Sequence, residues 1–374
     1  MVYRQVIILI KRTFFTGVLL LLLMEIPLFA EDLPQTGAKS AVLFDALSGH
    51  ILYAKNEQEP MGMASTTKIM TALVALEQYN LHQTVTIEKA WTGIEGSSMY
   101  LKTGENLTVS DLIYGLLLAS GNDAAAALAG LDPGGEAAFV EKMNQKAVLL
   151  GLENTHFENP SGLDGKGHHT TALELARLAA FALQNEMFAE IAGTQQIQVG
   201  GRWLNNHNRL LKELDACGVK TGYTKACGRC LVSAKEQNGR LLICVTLNDP
   251  DDWNDHKALF DYGFSQYRCV DVLGAGDCGS VPLVSSDRKV SRLYTVDSFS
   301  FWLTEKEREA LRIQLCGPRF WYGAVTAGQT YGTVRVLLED RLLFETPVYF
   351  ADTAKAVQPE ETWLDRWIQY LFRR

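Results

Sequence analysis

The run STTKIMTALVALE, Ser65 to Glu77, constrains this chain more than any other segment. Its apolar residues Ile69, Met70, Leu73, Val74 and Leu76 go nearly all the way round a helix, the pattern of a helix buried on most sides. A fold that buries such a helix must surround it, and must also accommodate a lysine at its head. At spacing i, i+3 the Ser65 hydroxyl and the Lys68 amine share one helical face. A buried amine is driven toward its neutral form, which accepts a proton from a neighbouring hydroxyl. Ser65 is therefore a candidate nucleophile and Lys68 its candidate base.

Other segments supply the surroundings. Residues 41–47 and 50–55 read as two strands joined at Ser48-Gly49. Helical periodicity dominates from Ser110 to about Ala192. Strands return in GRCLVSAK and RLLICVTLN, joined across Asn238-Gly239, a strong hairpin signal, and a helix follows from Asn254 to about Phe264. Beyond Val270 short strands alternate with Gly-rich turns, the texture of a separate small β-domain.

The amino terminus predicts export. Arg4, Lys11 and Arg12 precede twelve uncharged residues, Thr13 to Met24, and the segment ends IPLFA before Glu31. That run is short for a bilayer span, which takes about 20 residues, so residues 1–30 are expected to be a cleaved signal peptide. A net charge of −8 without a basic stripe argues against a nucleic-acid partner. All seven cysteines follow Ala216, an odd count without framework spacing. Cys227-Gly228-Arg229-Cys230 has no second CxxC to make a zinc site, while a local disulfide there stays open.

Ser-x-x-Lys alone is a weak signal, and the chain carries its own controls. Ser286 and Lys289 match it in a polar stretch, and Lys-Thr-Gly occurs at Lys102–Gly104 as well as at Lys220–Gly222. Context separates the copies. Ser65 and Lys68 head the buried helix, Ser120-Gly121-Asn122 lies in a turn between two apolar helices, and the second Lys-Thr-Gly immediately precedes the hairpin. Ser-x-x-Lys, Ser-x-Asn and Lys-Thr-Gly in that order are the signature set of penicillin-binding proteins and class A β-lactamases. With ASTTKIMTALVALE, LLLASGNDAAAAL, NPSGLDGKGHHTTALELA, NHNRLL and GVKTGYTKACGRCLV, the chain resembles the D-alanyl-D-alanine carboxypeptidases, the low-molecular-mass penicillin-binding proteins, over roughly residues 38–350.

The resemblance implies an α/β (α+β) fold. Its β-lactamase-like catalytic domain, an antiparallel sheet flanked by helices with a helical subdomain, would cover 31–270. A β-rich domain would cover 271–351 and an amphipathic tail 352–374. Ser65 would attack the D-Ala-D-Ala carbonyl, Lys68 take its proton, and Ser120 relay a proton to the departing D-alanine. Asn122 would orient Lys68 and the substrate amide. Lys220 would supply positive charge, Thr221 bind the terminal carboxylate, and Gly222 leave the strand edge open to substrate. The backbone N–H groups of Ser65 and Tyr223 would form the oxyanion hole. No cofactor or metal is required. The expected partners are peptidoglycan stem peptides ending in D-Ala-D-Ala, β-lactams as covalent inhibitors, and a membrane surface. The expected place of action is the outer face of the bacterial cytoplasmic membrane and the cell wall.

Rival readings fit less well. A class A-like β-lactamase uses a deacylating glutamate, and no Glu-x-x-Leu-Asn segment lies between Asn122 and Lys220; Ser-Gly-Asn also replaces Ser-Asp-Asn. A catalytically inactive wall-binding protein would not need all three motifs. For a zinc peptidase, Glu153, His156, His168 and His169 lack the HExxH arrangement, and GHHTTA is expected instead to cap a helix from about Thr171. Two positions depart from the resembled family. Cys227 stands where a small alanine is usual, and NDPDDWNDH, Asn248 to His256, is acidic where some relatives carry an arginine near the carboxylate site.

In ETWLDRWIQYLFRR, the residues Trp363, Leu364, Trp367, Ile368, Tyr370, Leu371 and Phe372 gather on one side of a helix. At about 21 Å it is too short to span a bilayer, and tryptophans beside arginines suit an anionic membrane interface.

Overall fold

Period-two alternation sets the central sheet. In the computed structural model, which describes residues 33–357 and 363–372, strands β1 (Ser40–Asp45), β2 (Ile51–Lys55), β3 (Gly218–Thr224), β4 (Gly228–Gln237) and β5 (Arg240–Leu247) form one antiparallel sheet. Their order is β2-β1-β5-β4-β3, which leaves β3 at an edge. Val42, Phe44, Val232, Ile243 and Val245 face one core, and Ala41, Leu43, Leu242 and Cys244 face another. Asn238 and Gly239 take positive φ values of 54° and 72°, the type I′ geometry that joins β4 to β5. The expected signal segment, 1–30, lies outside the described residues.

Helices cover both faces. Helix α1 (Lys68–Gln78) is buried at every residue from Lys68 to Ala75, as its all-round apolar pattern requires. It is enclosed by α2 (Val109–Leu117), α3 (Asn122–Gly130), α4 (Gly135–Leu149) and α5 (Ala172–Ala182), the last of which lies on β1 and β5. Helix α6 (Asp252–Ser265) covers the other face. Thr171 caps α5 by accepting from the Glu174 N–H, as the GHHTTA segment predicts. The expected fold is therefore present. One detail differs: the helix read from Ser65 starts as a 3-10 turn, Ala64–Thr67, and becomes α-helical at Lys68. The Thr66 and Thr67 hydroxyls donate to the carbonyls of Met63 and Ala64, at 2.6 and 2.8 Å, and close that tighter turn. Positions i and i+3 eclipse in a 3-10 turn, so Ser65 and Lys68 still stack.

Past α6 the chain builds a six-stranded sheet around Val281, Leu293, Val336, Val348 and Phe350. Ser286 and Lys289 lie outside any helix, and Lys102–Gly104 sits in an exposed turn, so neither duplicate motif meets a buried helix. All seven cysteines, Cys227 and Cys230 included, are free thiols. The terminal helix, Trp363–Leu371, carries exposed apolar side chains. Among the described residues no helix is long and apolar enough to cross a membrane.

Candidate active site

The 3-10 turn delivers Ser65. Its preceding residue, Ala64, is held at φ +48°, a conformation that needs local support. His168 supplies part of it. The ring accepts the Glu158 N–H at Nδ1 (3.0 Å), so Nε2 carries the proton and donates to the Thr67 hydroxyl at 2.7 Å. Thr67 passes its own hydrogen to the Ala64 carbonyl. Burial lowers the His168 pKa to about 4, which keeps the ring neutral in this chain of bonds.

Lys68 is fully buried, and its Nζ lies 2.9 Å from Ser65 Oγ, 2.7 Å from Asn122 Oδ1 and 2.5 Å from the Ser161 carbonyl oxygen. The Asn122 amide is oriented because its Nδ2 donates to the Glu95 carbonyl at 2.6 Å, which turns Oδ1 toward the lysine. Desolvation, then the nearby Lys220, push the Lys68 pKa well below its ordinary value, against a smaller opposing pull from Asp123. A neutral amine has two N–H bonds and one lone pair. Asn122 Oδ1 and the Ser161 carbonyl can only accept, so they take the two N–H bonds and leave the lone pair toward the Ser65 hydroxyl.

Ser120, at φ +57°, and Asn122, the first residue of α3, form the turn facing this pair. The Asn122 N–H donates to the Ser97 carbonyl at 2.7 Å. Next to it, the buried Asp123 carboxylate accepts from Ser98 Oγ (2.6 Å) and from the N–H groups of Met99 and Leu101, both at 3.0 Å. The turn and the loop over it therefore form one hydrogen-bonded unit, which is how a site is held in working geometry.

Edge strand β3 closes the other side. A side chain at Gly222 would put Cβ 3.1 Å from Met63 O, Ser65 N and Thr66 N, so glycine lets the strand lie this close to the nucleophile turn without displacing its backbone. Lys220 is buried beneath it and donates to the Thr221 carbonyl at 2.9 Å; burial lowers its pKa to about 7. Between β3 and the Ser120 turn lies a cavity of about 430 Å³, lined by Ser65, Ser120, Thr221, Gly222 and Tyr223. Ser65, Lys68, Ser120, Asn122, Lys220, Thr221, Gly222 and Tyr223 thus converge on one place. The sequence pattern gives no sign of the Ser161 carbonyl, Asp123 and one further cavity residue, Arg229, and it offers His168 only as a zinc ligand or part of a helix cap, not as the partner of Thr67. His156 and His169 pair with each other through their backbones.

A family model described as D-alanyl-D-alanine carboxypeptidase matches residues 28–251. Over 334 residues the chain is 34% identical to the D-alanyl-D-alanine carboxypeptidase DacF of Bacillus subtilis, covering 83% of this chain and 84% of that one. It is 32% identical over 356 residues to the D-alanyl-D-alanine carboxypeptidase DacC of Escherichia coli, covering 85% and 84%. Penicillin binding protein 5 from Haemophilus influenzae has a similar structure, with a TM-score of 0.63 at 27% identity over 86% of this chain and 99% of that one.

Proposed function

The chain belongs to the D-alanyl-D-alanine carboxypeptidase family of serine peptidases, and from that premise we infer that Ser65, Lys68 and Ser120 carry out the hydrolysis of the D-Ala-D-Ala bond. The observation that carries this reading is the Lys68 amine, desolvated, beside a second lysine, and 2.9 Å from Ser65 Oγ. Lys68 takes the Ser65 proton as Oγ adds to the penultimate D-alanine carbonyl. The backbone N–H groups of Ser65 and Tyr223 stabilise the oxyanion, and Ser120 passes the proton to the amine of the departing D-alanine. Asn122 orients Lys68 and the substrate amide, and Lys220 depresses the base. Thr221 hydrogen-bonds the terminal carboxylate. Water then hydrolyses the Ser65 ester.

The substrates are peptidoglycan stem peptides, and β-lactams acylate the same serine. We place the enzyme outside the cytoplasmic membrane, exported by residues 1–30 and attached through the amphipathic tail. The division into a catalytic domain to 270, a β-rich domain over 271–351 and a tail is supported by the separate sheets and cores. Purified protein incubated with a pentapeptide ending in D-Ala-D-Ala should release one D-alanine, detected by mass spectrometry. Ser65→Ala should release none and lose covalent labelling by fluorescent penicillin. Labelling that survives at Ser286 would overturn the reading.

A further inference from the structure

A peptidase that removes one terminal residue has to hold a free carboxylate, and in a partly desolvated cavity that takes a cation with its donors already in place. Lys220 suits that role poorly. Its amine is buried, donates to the Thr221 carbonyl and does not line the cavity. Among the described residues lining the cavity, Arg229 is the sole lysine or arginine.

Register explains why Arg229 reaches the cavity. It pairs across the β3–β4 hairpin with Tyr223, and Thr221 lies two residues along β3 on the same face. Two residues at the start of α6 then fix the side chain. Arg229 Nη2 donates to Asp252 Oδ1 at 2.6 Å, and the guanidinium stacks 5.6 Å from the centre of the Trp253 ring. Its Nε is buried without a hydrogen-bond partner among the described residues, and the side chain as a whole remains 42% exposed. A guanidinium held on one edge and one face, with donor capacity left over beside a cavity, suits bidentate capture of a carboxylate. Within the acidic segment, the Asp252 carboxylate is committed to positioning the arginine.

Building on the Ser65 acyl-transfer reading, we propose that Arg229 is the specificity-determining cation of this enzyme, binding the substrate's terminal carboxylate together with Thr221 and so making it a carboxypeptidase. The test uses the full-length protein and two substrates: an N-acyl peptide ending in D-Ala-D-Ala, and an N-acyl-D-alanine aryl ester, which offers Ser65 the same carbonyl with no carboxylate beyond it. Arg229→Gln should raise KM for the peptide roughly 10- to 100-fold, the range expected for a lost charged hydrogen bond, and leave kcat/KM for the ester within about twofold. Arg229→Lys should recover part of the loss. Equal losses on both substrates, or an unchanged peptide KM, would overturn the assignment. Failure of the acyl-transfer reading is distinguishable, because Ser65→Ala would then still turn over the ester.

Discussion

The Lys68 amine lies 2.9 Å from the Ser65 hydroxyl, and its two other partners, Asn122 Oδ1 and the Ser161 carbonyl, are oxygens that can only accept. Desolvation and the nearby Lys220 favour the neutral amine, and this geometry then leaves its lone pair facing the Ser65 hydroxyl. Acylation by penicillin should therefore slow as pH falls through the lowered Lys68 pKa, about tenfold per unit once the amine is mostly protonated. Lys68→Arg keeps the charge but cannot give up its proton, so acylation should drop by about 10²–10⁴-fold. Stopped-flow rates across pH check both; a flat profile or an active arginine variant would leave Lys68 a structural residue. Stability carries a related sign. Lys220 has a folded pKa of about 7 against about 10.4 in an unfolded chain, so the unfolded state holds more protons between those values. The cost of burying Lys220 is full below pH 7 and fades as pH rises toward about 10.

Gly162 is constrained from two directions. Its φ is +85°, and a Cβ there would fall 1.9 Å from the Ala64 carbonyl oxygen. Gly162→Ala should therefore force apart the nucleophile turn and the Ser161 carbonyl that Lys68 uses. Stability should fall by about 1–3 kcal/mol, as for other overpacked sites, and penicillin acylation should be largely lost. Gly201, at φ +75° with open space around it, is the control for backbone strain alone; Gly201→Ala should leave acylation unchanged. Similar acylation in both variants would show that the steric contact is unimportant.

The chemistry-bearing triplets were legible because each is short, ordered along the chain and set in a local pattern that singles it out. Ser65 and Lys68 head a largely apolar helix, and Lys220–Gly222 precedes a hairpin with an Asn-Gly turn. What stayed hidden has no local pattern. The Ser161 carbonyl is a backbone atom and leaves no mark in the sequence. His168 matters through one hydrogen bond to Thr67, 101 residues away. Arg229 sits inside a stretch dominated by two cysteines, and only strand register shows that it shares a face with Thr221. The 3-10 start of the central helix follows from the Thr66 and Thr67 hydroxyls competing for carbonyls, an effect that apolar periodicity does not see.

Arg240 joins the central sheet to the later part of the chain. It is fully buried and pairs through Nη2 with Asp45 of β1 and with Glu307, at 2.5 Å for the latter, while the Tyr267 hydroxyl donates to the same Asp45 oxygen. Removing the cation strands two buried carboxylates. Arg240→Ala should lower unfolding free energy by about 3–5 kcal/mol. Arg335→Ala, which breaks a solvent-screened pair with Glu345, should cost far less. Urea denaturation of the two variants checks the contrast; equal losses would mean that burial of the Arg240 cluster adds nothing.

The terminal helix presents Trp363, Leu364, Trp367, Ile368, Tyr370, Leu371 and Phe372 to solvent, each at least 44% exposed. An apolar surface of that size on a nine-residue helix, Trp363–Leu371, needs a cover. The helix cannot span a bilayer, but it can lie in the interface with its rings at headgroup depth, and each nearby arginine adds about 1 kcal/mol at an anionic surface. The full chain should therefore sediment with vesicles containing anionic lipid and be partly released at high salt. Deleting residues 358–374 keeps the Ser286–Ala356 bridge that ends the β-rich part. That truncation should abolish sedimentation and leave the penicillin acylation rate in solution unchanged. A truncated protein that still binds the vesicles, or a full chain that forms dimers and ignores them, would rule out the membrane surface as the cover for this helix.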